Sequence, residues 1–196
     1  NAGGSPAAQD FTTRYCDMNF VILKDRTFLD GARAQIAHLK NLARSHGRET
    51  RIWIHVYVVC RETEKEANDY LNYYVVENGD REAAENLLRI FGMQTETLDK
   101  KTLEGHKAHF IAGHGGYPLV GTAEQIVEEL GKLADIGVDG CLISWVDYKN
   151  ELMAWNADVL PLMVQAGLRA PFAPAGLAKT KPETSPRASN AVIAVS

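Results

Sequence analysis

The sequence predicts an α/β fold built on a parallel sheet, and two observations carry that reading. Short β-branched runs alternate with amphipathic helices along the chain, the pattern of right-handed βαβ units. The run Arg51 to Cys60 places Ile52, Ile54, Val56 and Val58 on one face and Trp53, His55, Tyr57 and Val59 on the other. Bulk on both faces suits a central strand covered from both sides.

The elements follow in order. Ser5 is placed as an N-cap and Pro6 at the first position of a helix that reaches about Tyr15. Asp17 to Leu23 reads as a short strand. From Thr27 to about His46, Phe28, Leu29, Ala32, Ile36, Leu39, Leu42 and Ala43 recur at three and four, which makes an amphipathic helix closed by Gly47. Beyond the central strand, Glu62 to Asn78 and Asp80 to Phe91 read as two helices broken near Gly79, and Lys100 to His109 as a further short one. Ala112 to Gly121 reads as a glycine-rich loop. Thr122 caps a helix carrying Ile126, Val127, Leu130, Leu133 and Ala134, closed by Gly137. Gly140 to Trp145 is a buried strand and Tyr148 to Ala166 the last helix. Residues 1–169 form the folded part. Residues 170–196, rich in Pro and Ala, are expected to be a disordered tail.

Three full strands result, with the end of a fourth expected before Gly3. A (β/α)₈ barrel needs eight strands and about 250 residues, so this chain of 196 residues does not close one alone. The chain opens at Asn1 with neither an initiator Met nor a signal peptide.

Composition narrows the function. Hydrophobic residues make up 45% and charged residues 23%, ordinary for a globular protein. The apolar runs fall short of the ~20 residues a membrane span needs. A net charge of −4 gives no basic footprint for nucleic acid. Cys16, Cys60 and Cys141 are odd in number and widely spaced, which argues against a disulfide framework or zinc site and fits a cytoplasmic setting. His106, His109 and His114 lack the spacing and carboxylate of a metal site, so no metal is expected.

Four features suit chemistry. Gly3-Gly4-Ser5 lies at a strand-to-helix junction, where free N–H groups and a hydroxyl suit a phosphate; from spacing alone a plain cap with a tight turn is the favoured reading. His55 and Tyr57 share one face near the end of the central strand, beside Trp53, as an acid–base pair or as satisfied core residues. The loop around Gly113, with His114, Gly115, Gly116 and Tyr117, is a lid or an ordinary connector. Ser144-Trp145-Val146-Asp147-Tyr148 lines a pocket or caps the next helix.

Several segments together resemble one family, the bacterial luciferase-like flavin-dependent monooxygenases. They are Asn1-Ala2-Gly3-Gly4-Ser5-Pro6 with Cys16-Asp17-Met18-Asn19-Phe20, then Val56 to Thr63, Tyr117 to Gln125, and Gly137-Val138-Asp139-Gly140. Dimethylsulfone and alkanesulfonate monooxygenases are the most similar members. The resemblance implies the C-terminal half of a (β/α)₈ (TIM) barrel with an added helical insertion, as a portion of a longer enzyme or a truncated paralogue. It implies reduced FMN supplied by a separate NAD(P)H:flavin reductase. O₂ as co-substrate would add at flavin C4a, and the peroxyflavin would oxidise a small organic, possibly organosulfur, substrate. A homo-oligomer, dimer or tetramer, is implied as well.

Carried over by residue, Gly3, Gly4 and Ser5 match the phosphate turn, and Gly115, Gly116 and Tyr117 a mobile loop beside the flavin. His55 and Tyr57 match catalytic positions, where His55 replaces an Arg and Tyr57 a His. Trp53, His114, Trp145 and Tyr148 match the substrate pocket. The missing guanidinium disfavours a sulfonate. A non-catalytic half-barrel serving as a structural or partner-binding module, or an F420-dependent hydride-transfer relative, is the alternative.

Overall fold

A computed structural model describes residues 1–23, 29–91, 100–173 and 192–195. Ser5 caps α1 (Pro6–Tyr15) by accepting the Ala8 N–H at 3.2 Å. Strand β1 (Met18–Phe20) is shorter than the expected Asp17 to Leu23. The next helix, α2 (Asp30–Ser45), buries Ala32, Ile36, Leu39 and Ala43; Thr27 and Phe28, read as its start, lie outside the described residues. Strand β2 (Arg51–Cys60) has the expected bounds.

Among the described residues, three helices separate β2 from β3. They are α3 (Glu64–Asn72), which runs into a π-helical turn over Tyr73–Glu77, then α4 (Arg81–Ile90) and α5 (Lys100–Gly113). Two capping boxes start helices as their sequences dictate: Thr63 with Glu66 at α3, and Thr122 with Gln125 at α6 (Ala123–Asp135). After β4 (Gly140–Ser144), Asp147 caps α7 (Tyr148–Ala154), which continues through a π-helical turn (Trp155–Val159) into α8 (Leu160–Gln165).

The sheet is parallel throughout, with β2 at its centre. Residues 53–57 of β2 pair with β4, residues 51–53 with β1 and residues 56–60 with β3 (Tyr117–Gly121). Because β1 and β3 each share β2 residues with β4, both lie on the edge of β2 opposite β4. Beside β1 the backbone of Asn1 bonds Met18 and Phe20, but the strand end expected before Gly3 is not formed among the described residues.

Two expectations are corrected. The loop read over Ala112 to Gly121 is in fact the end of α5, a tight turn and strand β3. A glycine and a proline hid its alternation, in which Tyr117, Leu119 and Gly121 are buried. Pro118 is tolerated because β3 pairs with β2 alone among the described strands. The second correction concerns the tail. Val192–Val195 form β5, parallel to β4 in the register Gly140↔Val192; residues 174–191 lie outside the described residues.

Helices cover both faces of β2. On one side Ile52, Ile54, Val56 and Val58 join Ile36 and Leu39 of α2, Ile126 and Leu133 of α6, and Met163 of α8. On the other, Tyr57 and Val59 pack with Ala67, Val75 and Ala112 of the α3–α5 layer. Among the described residues no helix is long and apolar enough to cross a membrane.

At the N-terminal ends of the strands, the Asp139 carboxylate accepts the Ile52 N–H at 2.8 Å and meets Lys40 Nζ at 2.8 Å. The Asp139 N–H in turn donates to Ile52 O at 2.8 Å. Asp139 thereby ties α2, β2 and β4 together and sets the register of the two central strands.

Candidate functional site

Strand alternation puts Trp53, His55 and Tyr57 on one face of β2. The β2–β4 register places Ser144 opposite Tyr57, so Ser144 shares that face. His55 Nε2 lies 2.9 Å from Ser144 Oγ, and the Ser144 hydroxyl is 3.4 Å from Val56 O. Partial burial, with His114 nearby, holds the His55 imidazole below its usual pKa and keeps it neutral near pH 7.

The end of α5 and its turn close over these residues. A Cβ on Gly113 would overlap the Tyr57 ring, and one on Gly116 would stand 2.9 Å from His55 Nδ1. Only glycine permits so close an approach. His114 and Gly115 turn the chain at φ 50 and 77, and His114 meets Phe110 edge-on at 5.7 Å. Tyr57 stands edge-on to His109 at 6.0 Å. Trp53 is buried, and its Nε1–H has no hydrogen-bond partner among the described residues. An orphaned donor of this kind is what an acceptor on a bound group would satisfy.

Other candidates lie elsewhere. Tyr117 and Trp145 belong to the opposite, helix-covered core. The Tyr117 hydroxyl donates to Glu129 on α6, and Trp145 meets Trp155 at 5.9 Å and Tyr148 at 5.6 Å. Alternation explains the split: Ser144 faces His55, so Trp145 faces away. Gly3, Gly4 and Ser5 follow the Asn1 segment, two strand spacings or about 10 Å from β2. A Cβ on Gly3 would overlap Ala8, whereas Gly4 faces open space. The Gly4 side of the α1 start is therefore open.

Sequence reasoning missed three features. It named Ser144 but did not join it to His55, a link that follows from register. His109 was weighed only as a metal ligand, and among the described residues no group of three or more His, Cys, Asp or Glu side chains could hold a metal. A cleft of about 1010 Å³ at the C-terminal end of β2 is lined by Arg61, Tyr70, Glu124, Glu151 and Asp158 among others. There Arg61 pairs with Glu151 at 3.0 Å and lies 4.0 Å above the Tyr70 ring.

A parallel sheet with helices on both faces, and polar residues gathered on one face of its central strands, defines an α/β scaffold. The model of the luciferase-like monooxygenases matches residues 1–140, and the chain belongs to that family. It is 28% identical over 170 residues to an FMNH(2)-dependent dimethylsulfone monooxygenase of Pseudomonas putida, covering 82% of this chain and 45% of that protein. DmoA from Hyphomicrobium sulfonivorans superposes with a TM-score of 0.71 at 16% identity, over 85% of this chain and 41% of that one. Riboflavin lyase RcaE, solved with modified FMN and riboflavin, gives a TM-score of 0.69 at 19% identity, over 85% and 42%. These two structures share the fold. The chain spans about half the length of the curated relatives it matches.

Proposed function

We propose that this chain supplies the C-terminal half of a (β/α)₈ barrel, with α3–α5 as its helical insertion, in a reduced-FMN-dependent monooxygenase. Its substrate is a small, uncharged organic compound, with organosulfur compounds the leading class. A separate NAD(P)H:flavin reductase supplies the cofactor. The supporting observation is the His55–Ser144 contact at 2.9 Å beside the orphaned Trp53 N–H, in a member of this family.

When bound, reduced FMN supplies the electrons that activate O₂ for transfer of one oxygen atom to the substrate. The chain's own groups bind and orient. The N–H groups at the start of α1 hold the phosphate against the helix dipole. The Trp53 N–H donates to an acceptor on the bound group. Neutral His55 and Tyr57 orient the reacting end without adding charge. The α5 turn at Gly113 and Gly116, packed on β2, keeps water from that face.

Anaerobic titration with reduced FMN tests the reading, on this chain alone and together with the N-terminal half of the dimethylsulfone monooxygenase relative. Binding is expected in the combined sample, where Ser5→Ala should raise Kd about 10-fold or more through loss of a hydroxyl that donates to the phosphate, a charged-group hydrogen bond of about 1.5–3 kcal/mol. Absence of binding in both samples overturns the enzyme reading. It would favour a non-catalytic module whose outer β4 edge is covered by β5.

A further inference from the structure

We infer that Ser144 is a positioning residue that locks His55 as the Nε2–H tautomer, so that the imidazole presents Nδ1 as a hydrogen-bond acceptor. The inference deepens the proposed reading of the same site by naming what His55 offers to a substrate.

The Ser144 hydroxyl has a single proton and two neighbours, His55 Nε2 at 2.9 Å and Val56 O at 3.4 Å. A carbonyl oxygen only accepts, so the contact with Val56 uses the hydroxyl proton. The contact with His55 is then made by a Ser144 lone pair, which requires that Nε2 carry the proton. The opposite tautomer would turn the hydroxyl proton to Nε2 and leave the Val56 contact without one. One arrangement serves both contacts. The bond made by one ring nitrogen fixes the state of the other, and Nδ1 is left as the unprotonated nitrogen.

The surroundings agree. Nδ1 lies on the Gly116 side of the ring, and the Gly116 N–H is directed to Gly113 O at 2.9 Å. The described side-chain hydrogen bonds of His55 go to Ser144 alone. His114 is the titratable neighbour whose charge bears on the ring, and a carboxylate that would favour an Nδ1–H is not among the groups acting on it.

The chemical consequence is selective. An acceptor nitrogen favours a ligand group that carries an N–H or O–H and repels a sulfonate or carboxylate, whose oxygens only accept. The orphaned Trp53 donor on the same face takes an acceptor. The pair therefore suits a neutral molecule with both a donor and an acceptor, such as an amide or a hydroxylated compound.

The test is NMR of the ¹⁵N-labelled full chain, with long-range imidazole correlations recorded above the His55 titration and assigned by loss of the signal in His55→Gln. The wild type is expected to show Nε2 protonated and Nδ1 unprotonated as a single form. Ser144→Ala should lose that signature and give a mixture of tautomers, while Ser144→Thr, which keeps the hydroxyl, should restore it. An Nδ1–H tautomer in the wild type overturns the proposal, as does a Ser144→Ala spectrum unchanged at His55. A far-UV spectrum matching the wild type confirms that each variant is folded. The readout needs no flavin. Failure to bind reduced FMN removes the proposed function alone, whereas a wrong tautomer removes this inference alone.

Discussion

Replacing Asp139 by Ala should destabilise the protein more than its place in a loop suggests. Its carboxylate is buried and serves two partners, the Ile52 N–H at 2.8 Å and Lys40 Nζ at 2.8 Å. A hydrogen bond to a charged acceptor contributes about 1.5–3 kcal/mol. Removing one partner of a buried ion pair costs about 3–5 kcal/mol, because the other charge is left uncompensated. The Lys40 side chain keeps 22% of its exposure and can recover hydration, which reduces the ion-pair cost to about 1.5 kcal/mol and, with about 1.5 kcal/mol for the hydrogen bond, gives a total of about 3 kcal/mol.

With a urea slope of about 2 kcal/mol/M, the unfolding midpoint should fall by about 1.5 M. Asp139→Asn retains an oxygen for the Ile52 N–H and loses only the charge, so about half that shift is expected. Adding Lys40→Met to Asp139→Ala should recover part of the loss by removing the orphaned charge. Because Asp139 sets the β2–β4 register, Asp139→Ala should also disturb the His55 signal. An Asp139→Ala variant within about 1 kcal/mol of wild type, or an Asp139→Asn variant as damaged as Asp139→Ala, would refute this role for the carboxylate.

Two further outcomes follow. Gly116→Ala places a methyl 2.9 Å from His55 Nδ1 and 3.1 Å from Gly113 O. It should cost about 1–3 kcal/mol in denaturant unfolding and displace the His55 resonances; an unaltered midpoint and spectrum would mean that the turn does not rest on β2. The Cys60 thiol is pushed up to about 11 by burial first and then by the carboxylates of Asp158, Glu124 and Glu151, against Arg61. At pH 8 its iodoacetamide labelling should run about 100-fold slower than that of an ordinary thiol, since only the thiolate reacts. The gap should narrow as pH rises towards 11; equal rates at pH 8 would show that Cys60 is open to solvent.

The sequence by itself determined the local elements. Ser5, Thr63 and Thr122 mark helix starts because a cap is made by residues three apart. Arg51–Cys60 was legible end to end because ten consecutive residues repeat one alternation. The same alternation put His55 and Tyr57 on a shared face before any partner was known. What remained hidden depends on residues far apart in the chain. Strand β3 exists because the C-terminal half of β2 offers it a ladder, and Gly and Pro in its own sequence argue against it.

Ser144 meets His55 across a separation of 89 residues, a contact that the Asp139-anchored register creates and no local pattern encodes. For the same reason Trp145, its neighbour in sequence, lies on the other side of the sheet. The chemistry-bearing side chains can be read from sequence. Which of them face one another is decided only when strands pair, because a shift of one residue in register turns every side chain to the opposite face.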